Sequence, residues 1–290
     1  MAVLAIDVGG TKIAAGIVGD DGSLSTAMRV VSTPRGGGPD DVWDALARLA
    51  TGVRGSVPLD GCGVGCGGPM TEGGETVSPL NIAGWRGFPL RSRIQQLTGL
   101  DTFVDNDAKA LALAEGWIGA ARGEPNFIAM VVSTGVGGGI VLDGRLLGGA
   151  AGNAGHIGHV IVEPGGELCV CGARGCLEAV ASGPAIERVT GRPPAKASHP
   201  VRARVGRLVG RAVADVANLL DLRLAVVAGS VALGFGDPFF ASAQAELDAS
   251  ARLEFSRGAR IVPAGLGPDA PLVGAAAVAL RGLGRLPGIG

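Results

Sequence analysis

Apolar and polar positions alternate in short blocks along this chain, and glycine-centred turns separate the blocks. Residues 2–8 form one apolar run, GGTK follows, and a second run, IAAGIV, covers 13–18. Two such runs about a glycine pair predict a β-hairpin. GDDG (19–22) is the next turn and leads into a predicted third strand over 24–32. Val42, Leu46 and Leu49 recur at helical spacing, which predicts a helix over 40–52. A glycine-dense strand end lies at 61–69, a short helix at 91–97 and a short strand at 102–104. Asp105-Asn106-Asp107 then opens a helix to about 118, because 108–115 holds strong helix formers and Asn or Asp supplies the cap. Strands are predicted at 127–133 and 139–142 around a TGVGGG turn, and helices at 185–189 and 205–220. A buried strand at 224–228 ends in Gly-Ser, and a helix at 238–253, a strand at 261–263 and a helix at 271–280 follow.

Strands and helices alternate in both halves, which predicts an α/β architecture. The strand, glycine turn, strand unit occurs twice, at 3–18 and 128–142. This repetition predicts two related halves with a cleft between them. The expected division is a smaller α/β domain of 1–105 plus 272–290 and a larger one of 106–271.

Composition narrows the function classes. A chain of 290 residues can bury a large core. A formal net charge of −1 gives no polyanion-binding surface, so no nucleic-acid partner is expected. The longest uncharged stretches, 127–142 and 146–162, are glycine-rich and shorter than the roughly 20 apolar residues of a membrane span. The amino terminus, MAVLAIDVGG, lacks the basic leader of a signal peptide. Cys62 and Cys66 stand apart from the other three cysteines, which bunch together as metal ligands would. That distribution fits a reducing cytoplasm better than a disulfide framework.

Two glycine turns are candidate phosphate sites. In Asp7-Val8-Gly9-Gly10-Thr11-Lys12 the glycines permit close backbone approach, and Thr11 and Lys12 add donors. Asp7, at the end of its strand, is placed to hold a hydrated Mg²⁺. Ser133-Thr134-Gly135-Val136-Gly137-Gly138-Gly139 repeats the logic. An ordinary hairpin turn is the alternative for each. Their joint occurrence with Gly229-Ser230 after a third strand strengthens the phosphate reading. No glycine is followed by lysine, which excludes a Walker A loop. Gly63, Gly65 and Gly68 match GxGxxG, yet Pro69 follows and no helix starts there, so the dinucleotide reading lacks its context.

Asp105-Asn106-Asp107 offers a carboxylate at a helix start beside an amide. Such a pair can hold a sugar hydroxyl and take its proton, or simply cap the helix. The helix amino end favours the ionised form that a proton acceptor needs. The pattern His159-x9-Cys169-x-Cys171-x4-Cys176 supplies four zinc ligands. Four protein ligands close the coordination shell, so the zinc is structural and activates no water. Arg174, inside the knuckle, is expected to face solvent.

These motifs together resemble the ROK family of sugar kinases and repressors, over essentially the whole chain. CVCGARGCLE (169–178) is similar to the family's CxCGxxGCxE signature, and DVGGTK and STGVGGG to its two phosphate loops. DNDA (105–108) is similar to its catalytic loop, and SPLNIAGW (78–85) to its Pro-Asn-Leu-x-x-Trp sugar segment, although here Leu80 precedes Asn81. The resemblance implies an actin- and hexokinase-like (ribonuclease H-like) fold of two α/β domains around a cleft. It implies ATP as donor with Mg²⁺, and a homodimer or homotetramer. Asp107 is implied as catalytic base. Gly67, Gly68, Asn81, Asn106, Asp107, His159 and Glu178 are implied to hold the sugar. Gly9, Gly10, Thr11, Lys12, Thr134, Gly135, Gly229 and Ser230 are implied to hold ATP, with Asp7 near Mg²⁺. His159 then serves zinc with one ring nitrogen and sugar with the other.

One departure from the family pattern bears on the substrate. Most family sugar kinases read GE(I/L)GH where this chain reads GHIGH, so His156 replaces a sugar-contacting carboxylate. A carboxylate accepts two hydroxyl bonds, whereas neutral imidazole accepts one and donates one. Bacterial N-acetylmannosamine kinases carry HIGH at this place and share SG (182–183) and GSV (229–231). The expected substrate is therefore N-acetylmannosamine, with glucose, the commoner family substrate, as the alternative. ROK repressors share the sugar-binding core but precede it with a helix-turn-helix, and here the phosphate loop begins at Asp7. A non-catalytic sugar sensor and a polyphosphate-dependent kinase are the remaining readings.

Overall fold

The computed structural model describes residues 2–36 and 38–289. They divide into two compact units. The first runs to Gly119 and includes Arg145–Ala154 and the chain from Leu266 onward; the second comprises Ala120–Gly144 and Gly155–Gly265.

In the first unit β1 (Ala2–Val8) and β2 (Lys12–Gly19) form the predicted hairpin, with Val8 opposite Ile13. β3 (Arg29–Ser32) pairs with β2 at the edge, and β4 (Cys62–Cys66) and β5 (Thr102–Asn106) extend the other side in parallel, giving the order β3-β2-β1-β4-β5. β1 and β2 read as almost unbroken apolar runs because helices cover the sheet and strands buried on both faces lose the alternating pattern. Those helices are α1 (Pro39–Arg54), α2 (Leu90–Thr98), α3 (Asp107–Trp117) and, from much later in the chain, α9 (Ala270–Gly282). Leu4, Ile6, Ile13, Leu46 and Trp85 form the centre of one core and are fully buried. α9 is apolar all round, as a helix enclosed on every side must be.

The second unit repeats the arrangement. β6 (Phe127–Val132) and β7 (Val136–Leu142) form a hairpin, and β9 (Leu224–Ala228) runs parallel to β6, followed by β10 (Arg260–Pro263). The strand order within this unit is β10-β9-β6-β7, and the two-residue β8 (Arg145–Leu146) lies in the segment that belongs to the first unit. Its helices are α4 (Glu178–Ala181), α5 (Gly183–Thr190), α6 (His199–Leu220), α7 (Ser230–Phe235) and α8 (Asp237–Ser250). Among the described residues no helix is long and apolar enough to cross a membrane.

Several boundaries differ from the sequence reading. The third strand is only 29–32; Leu24 makes a single bridge to Val18. The second glycine turn is shorter than expected. β7 starts at Val136, so Gly137, Gly138 and Gly139 are strand residues paired with Val131, Met130 and Ala129. α6 begins six residues early, at His199, behind an extended Ser198 and with proline in its first turn, where the missing N–H costs nothing. α7 was masked by its glycines. α3 and residues 145–154 cluster with the first unit rather than with 106–271. α3 packs along α9, where Gly274 lies against the Ala110 backbone. The GxGxxG match also acquires a reason: a Cβ on Gly63 would strike the Ala275 carbonyl, so this glycine admits α9 onto β4.

Candidate functional site

The parallel strands of the first unit bring its chemistry together. Asp7 lies opposite Gly65, and Gly65 opposite Asp105. The carboxyl ends of β1, β4 and β5 therefore carry Asp7, the Gly67-Gly68 backbone and the Asp105-Asn106-Asp107 run. Ligands of open α/β sheets bind at such ends. Gly9, Gly10 and Thr11 form the β1–β2 turn, closed by Gly9 N donating to Lys12 O at 3.0 Å. Asn81 packs on this turn: a Cβ on Gly10 would lie 2.7 Å from its Cβ, and one on Gly67 3.5 Å from its Oδ1. Asn81 itself is exposed, but its segment is anchored by Trp85. That indole is fully buried, stacks on Phe88 with centroids 4.2 Å apart, and donates from Nε1 to Pro39 O at 3.0 Å.

The polar run at the start of α3 divides into three tasks. Asp105 faces Lys109 and Arg281, each at 3.6 Å. Asn106 is the N-cap, its Oδ1 accepting from Ala108 N at 3.0 Å. Asp107 is the first helical residue and is exposed, with Oδ1 accepting from Ala108 N at 2.9 Å. Capping thus falls to Asn106, and Asp107 presents a carboxylate at the positive end of the helix.

Burial, together with the nearby Asp107 carboxylate, pushes Asp7 up to about 7, against the pull of Lys12. Folding therefore favours the neutral acid. The associated stability is complete below the ordinary value of 3.8 and is lost as pH rises through about 7. Asp7→Asn is expected to match the wild type near pH 4 and to exceed its unfolding free energy by roughly 2–4 kcal/mol at pH 8. Urea unfolding of both proteins at the two pH values checks this; an equal midpoint at pH 8 contradicts it.

In the second unit Ser133, Thr134 and Gly135 form the β6–β7 turn, with Ser133 N donating to Gly135 O at 2.9 Å. Gly183 N donates to Ser133 O at 2.7 Å, and the Ser133 and Ser230 hydroxyls are 2.9 Å apart. Gly229 has φ +101°, and a Cβ there would strike the Val132 carbonyl. Only glycine fits where β9 passes into α7. Thr134, Gly135, Gly229 and Ser230 are thus gathered at the carboxyl ends of β6 and β9. The sequence reading included Ser133 in this turn but missed Gly183 as its support.

The four candidate zinc ligands converge in the same unit. Cys169 and Cys171 occupy a tight turn closed by Cys169 N to Ala173 O at 2.8 Å and Gly172 N to Cys169 O at 2.9 Å. A bridge between Ile161 and Cys176 returns the third thiol. Cys169 Sγ lies 3.6 Å from His159 Nδ1, Cys171 Sγ lies 3.7 Å from Cys176 Sγ, and all four donor atoms fall within 4.8 Å. Tetrahedral zinc, with bonds of about 2.1–2.3 Å, sets donors roughly 3.6–3.8 Å apart. Donor chemistry and spacing both fit zinc. Arg204 Nη2 bridges the two Glu163 oxygens at 2.6 and 2.7 Å, and Arg211 donates to Val162 O at 3.1 Å, so α6 holds the leading edge of the knuckle. Arg174 is exposed.

Glu178 opens α4, and its Oε2 accepts from Val136 N at 2.8 Å, beside Gly135. Two residues past the last cysteine, it ties the knuckle to the second glycine turn, a link the sequence did not reveal. His156 is exposed, its ring centroid 6.1 Å from that of His159. Two further polar residues were also missed, both in the first unit. Lys109 is 3% exposed and donates to Gly152 O at 2.7 Å. Asn153 accepts from Met70 N at 3.3 Å and donates to Met70 O at 3.1 Å, steadying the chain just after Gly67-Gly68. The rarity of lysine, found only at positions 12, 109 and 196, is the signal that marks Lys109; Asn153 carries none.

This geometry has close counterparts. An N-acetylmannosamine kinase of Escherichia fergusonii is 37% identical over 254 residues, spanning 81% of this chain and 85% of that protein. The structure of a ROK hexokinase from Thermus thermophilus matches with a TM-score of 0.81 at 35% identity, over 98% of this chain and 99% of its own. That of a ROK family glucokinase from Streptomyces griseus, in complex with glucose and AMPPNP, matches with a TM-score of 0.85 at 30% identity, over 97% and 100%. The fold is the two-domain actin/hexokinase-like one. The ROK family profile runs over residues 3–281, through both glycine turns, the start of α3 and the Cys/His cluster, and the chain belongs to the ROK family.

Proposed function

We propose that the protein is an ATP-dependent sugar kinase that phosphorylates the 6-hydroxyl of a hexose or N-acylhexosamine, with N-acetylmannosamine favoured. The observation that carries this reading is Asp107, an exposed carboxylate that opens α3 directly after its N-cap Asn106, in the same unit as a glycine turn covered by Asn81. The similarity to an N-acetylmannosamine kinase supports the choice of sugar. The likeness to a glucokinase bound to glucose and AMPPNP supports ATP and keeps glucose as the alternative.

In the reaction the sugar 6-oxygen attacks the γ-phosphorus, the bond to the β–γ bridging oxygen breaks, and ADP leaves. Asp107 orients the hydroxyl and accepts its proton. Asn81, Asn106, His156, His159 and Glu178, with the Gly67-Gly68 backbone, bind and orient the sugar. Phosphoryl transfer depends mainly on positioning and on charge stabilisation. Gly9, Gly10, Thr11, Lys12, Thr134, Gly135, Gly229 and Ser230 supply donors to the nucleotide; Asp7 would hold a hydrated Mg²⁺, which would neutralise phosphate charge. His159, Cys169, Cys171 and Cys176 would hold a structural zinc. With one ring nitrogen engaged there, His159 would be fixed in orientation and keep its other nitrogen for the sugar. The protein acts in the cytoplasm as a homodimer or homotetramer.

ADP release with Mg-ATP across glucose, mannose, fructose, N-acetylglucosamine and N-acetylmannosamine tests the reading. N-acetylmannosamine is expected to give the highest kcat/KM. His156→Glu is expected to move preference toward glucose by about tenfold or more, the worth of one charge-assisted hydrogen bond. An unchanged ranking removes the role given to His156. No ADP release with any sugar, but binding of one of them, identifies a sugar sensor; turnover only with polyphosphate identifies a different donor.

A further inference from the structure

We propose that Thr33 is a positioning residue of the amino-terminal phosphate turn, acting through the Gly9 and Thr11 carbonyls to aim the turn's N–H groups at the nucleotide. The proposal rests on the kinase reading, and it concerns a residue that carries no motif.

Pairing of β3 with β2 sets Ser32 opposite Lys12 and brings Thr33 beside Thr11. Pro34 follows, which favours an extended Thr33 and cannot itself donate to the sheet. Thr33 is 5% exposed. Its Oγ1 donates to Gly9 O at 2.6 Å, and its backbone N donates to Thr11 O at 3.0 Å. The first carbonyl of β2, Lys12 O, accepts from Gly9 N at 3.0 Å. The carbonyls of Gly9, Thr11 and Lys12 are therefore all engaged by protein donors.

The consequence follows from peptide geometry. In a trans peptide the carbonyl of one residue and the N–H of the next point in opposite directions. The single cis bond among the described residues is Gly68–Pro69, so the peptides of this turn are trans. Turning the Gly9 and Thr11 carbonyls toward Thr33 directs the N–H groups of Gly10 and Lys12 to the opposite side. Backbone N–H groups gathered on one side of a turn can bind an anion. Carbonyl oxygens left facing that side would repel a phosphate. The Thr33 hydroxyl thus decides which face of the glycine pair the anion meets, without touching the anion.

Thr33→Val keeps shape and the backbone bond to Thr11 while removing the bond to Gly9; Thr33→Ser restores the hydroxyl. Both variants are compared with wild type for melting temperature, for KM of Mg-ATP and kcat, and for dissociation constants of Mg-AMPPNP and of sugar by calorimetry. The Val variant is expected to raise KM for Mg-ATP and the Mg-AMPPNP dissociation constant roughly fivefold, the factor set by one neutral hydrogen bond. Sugar affinity is expected to stay within about twofold, and Ser to recover most of the loss. Unchanged nucleotide affinity in the Val variant overturns the proposal. So does parallel loss of nucleotide and sugar binding with a lowered melting temperature, since that reports a purely structural role. A wild type that binds Mg-AMPPNP but releases no ADP with any sugar removes the kinase reading and leaves Thr33 to be judged on nucleotide affinity. A wild type that binds no Mg-AMPPNP removes the assignment itself.

Discussion

Asp107→Asn is expected to bind sugar with near wild-type affinity and to lose almost all turnover. The substitution keeps the volume and an oxygen that can accept from Ala108 N, as Oδ1 does at 2.9 Å. Asn106 continues to cap α3, so the helix start should survive. What disappears is the only feature asparagine cannot imitate, a group able to take a proton from the 6-hydroxyl. General-base catalysis is worth about 10²–10⁴ in rate, and the expected fall in kcat lies in that range, roughly 3–5 kcal/mol of barrier. Single-turnover kinetics beside calorimetric sugar binding separates chemistry from affinity. A variant that keeps more than about a tenth of kcat, a change below roughly 1.4 kcal/mol, would show that Asp107 is not the base.

Loss of zinc is expected to weaken sugar binding by roughly 10–100-fold, the range seen when the groups that orient metal ligands are removed. Without the ion, the four donor residues are linked through backbone bonds such as Cys169 N to Ala173 O and Val162 N to Gly175 O, while α6 grips the leading edge at Glu163 and Val162. Residues 156–178 should then lose fixed structure, His159 its orientation, and Glu178 its place. Because Glu178 Oε2 accepts from Val136 N at 2.8 Å, the disturbance extends to the start of β7 and to Gly135. Nucleotide affinity should therefore fall too, but by less than sugar affinity, since Ser133 is also held by Gly183 and Ser230. Protein depleted with a chelator and verified by metal analysis, titrated with glucose, N-acetylmannosamine and Mg-AMPPNP, gives the comparison. Normal sugar binding by verified metal-free protein ends the scaffold argument. Nucleotide affinity falling more than sugar affinity would shift the main role of the knuckle to the second glycine turn.

The local features of this protein were written in adjacent residues. Apolar runs around Gly9-Gly10 gave the β1–β2 hairpin, helical spacing of Val42, Leu46 and Leu49 gave α1, and one cysteine spacing gave the metal cluster. In each case the partners lie within a turn or a hairpin, so spacing along the chain fixes distance in space. The start of α3 was only half legible. Asn and Asp are equally good caps on paper, and the backbone at this junction assigned the cap to Asn106 and the exposed carboxylate to Asp107. The second glycine run was over-read because glycine serves a tight turn and a strand alike, and pairing of Val136–Leu142 with β6 chose the strand.

Sequence by itself therefore determined the α/β class, the two glycine turns, the helix that carries Asp107 and the Cys/His cluster. Only the tertiary structure decided that Gly63 admits α9, that Asn81 covers Gly10, that Glu178 supports Val136, and that Thr33 turns the carbonyls of Gly9 and Thr11. These contacts join residues that are tens to hundreds of positions apart. Hydrogen bonds and van der Waals contacts act over a few ångströms, and only the packing of whole elements brings such residues within reach.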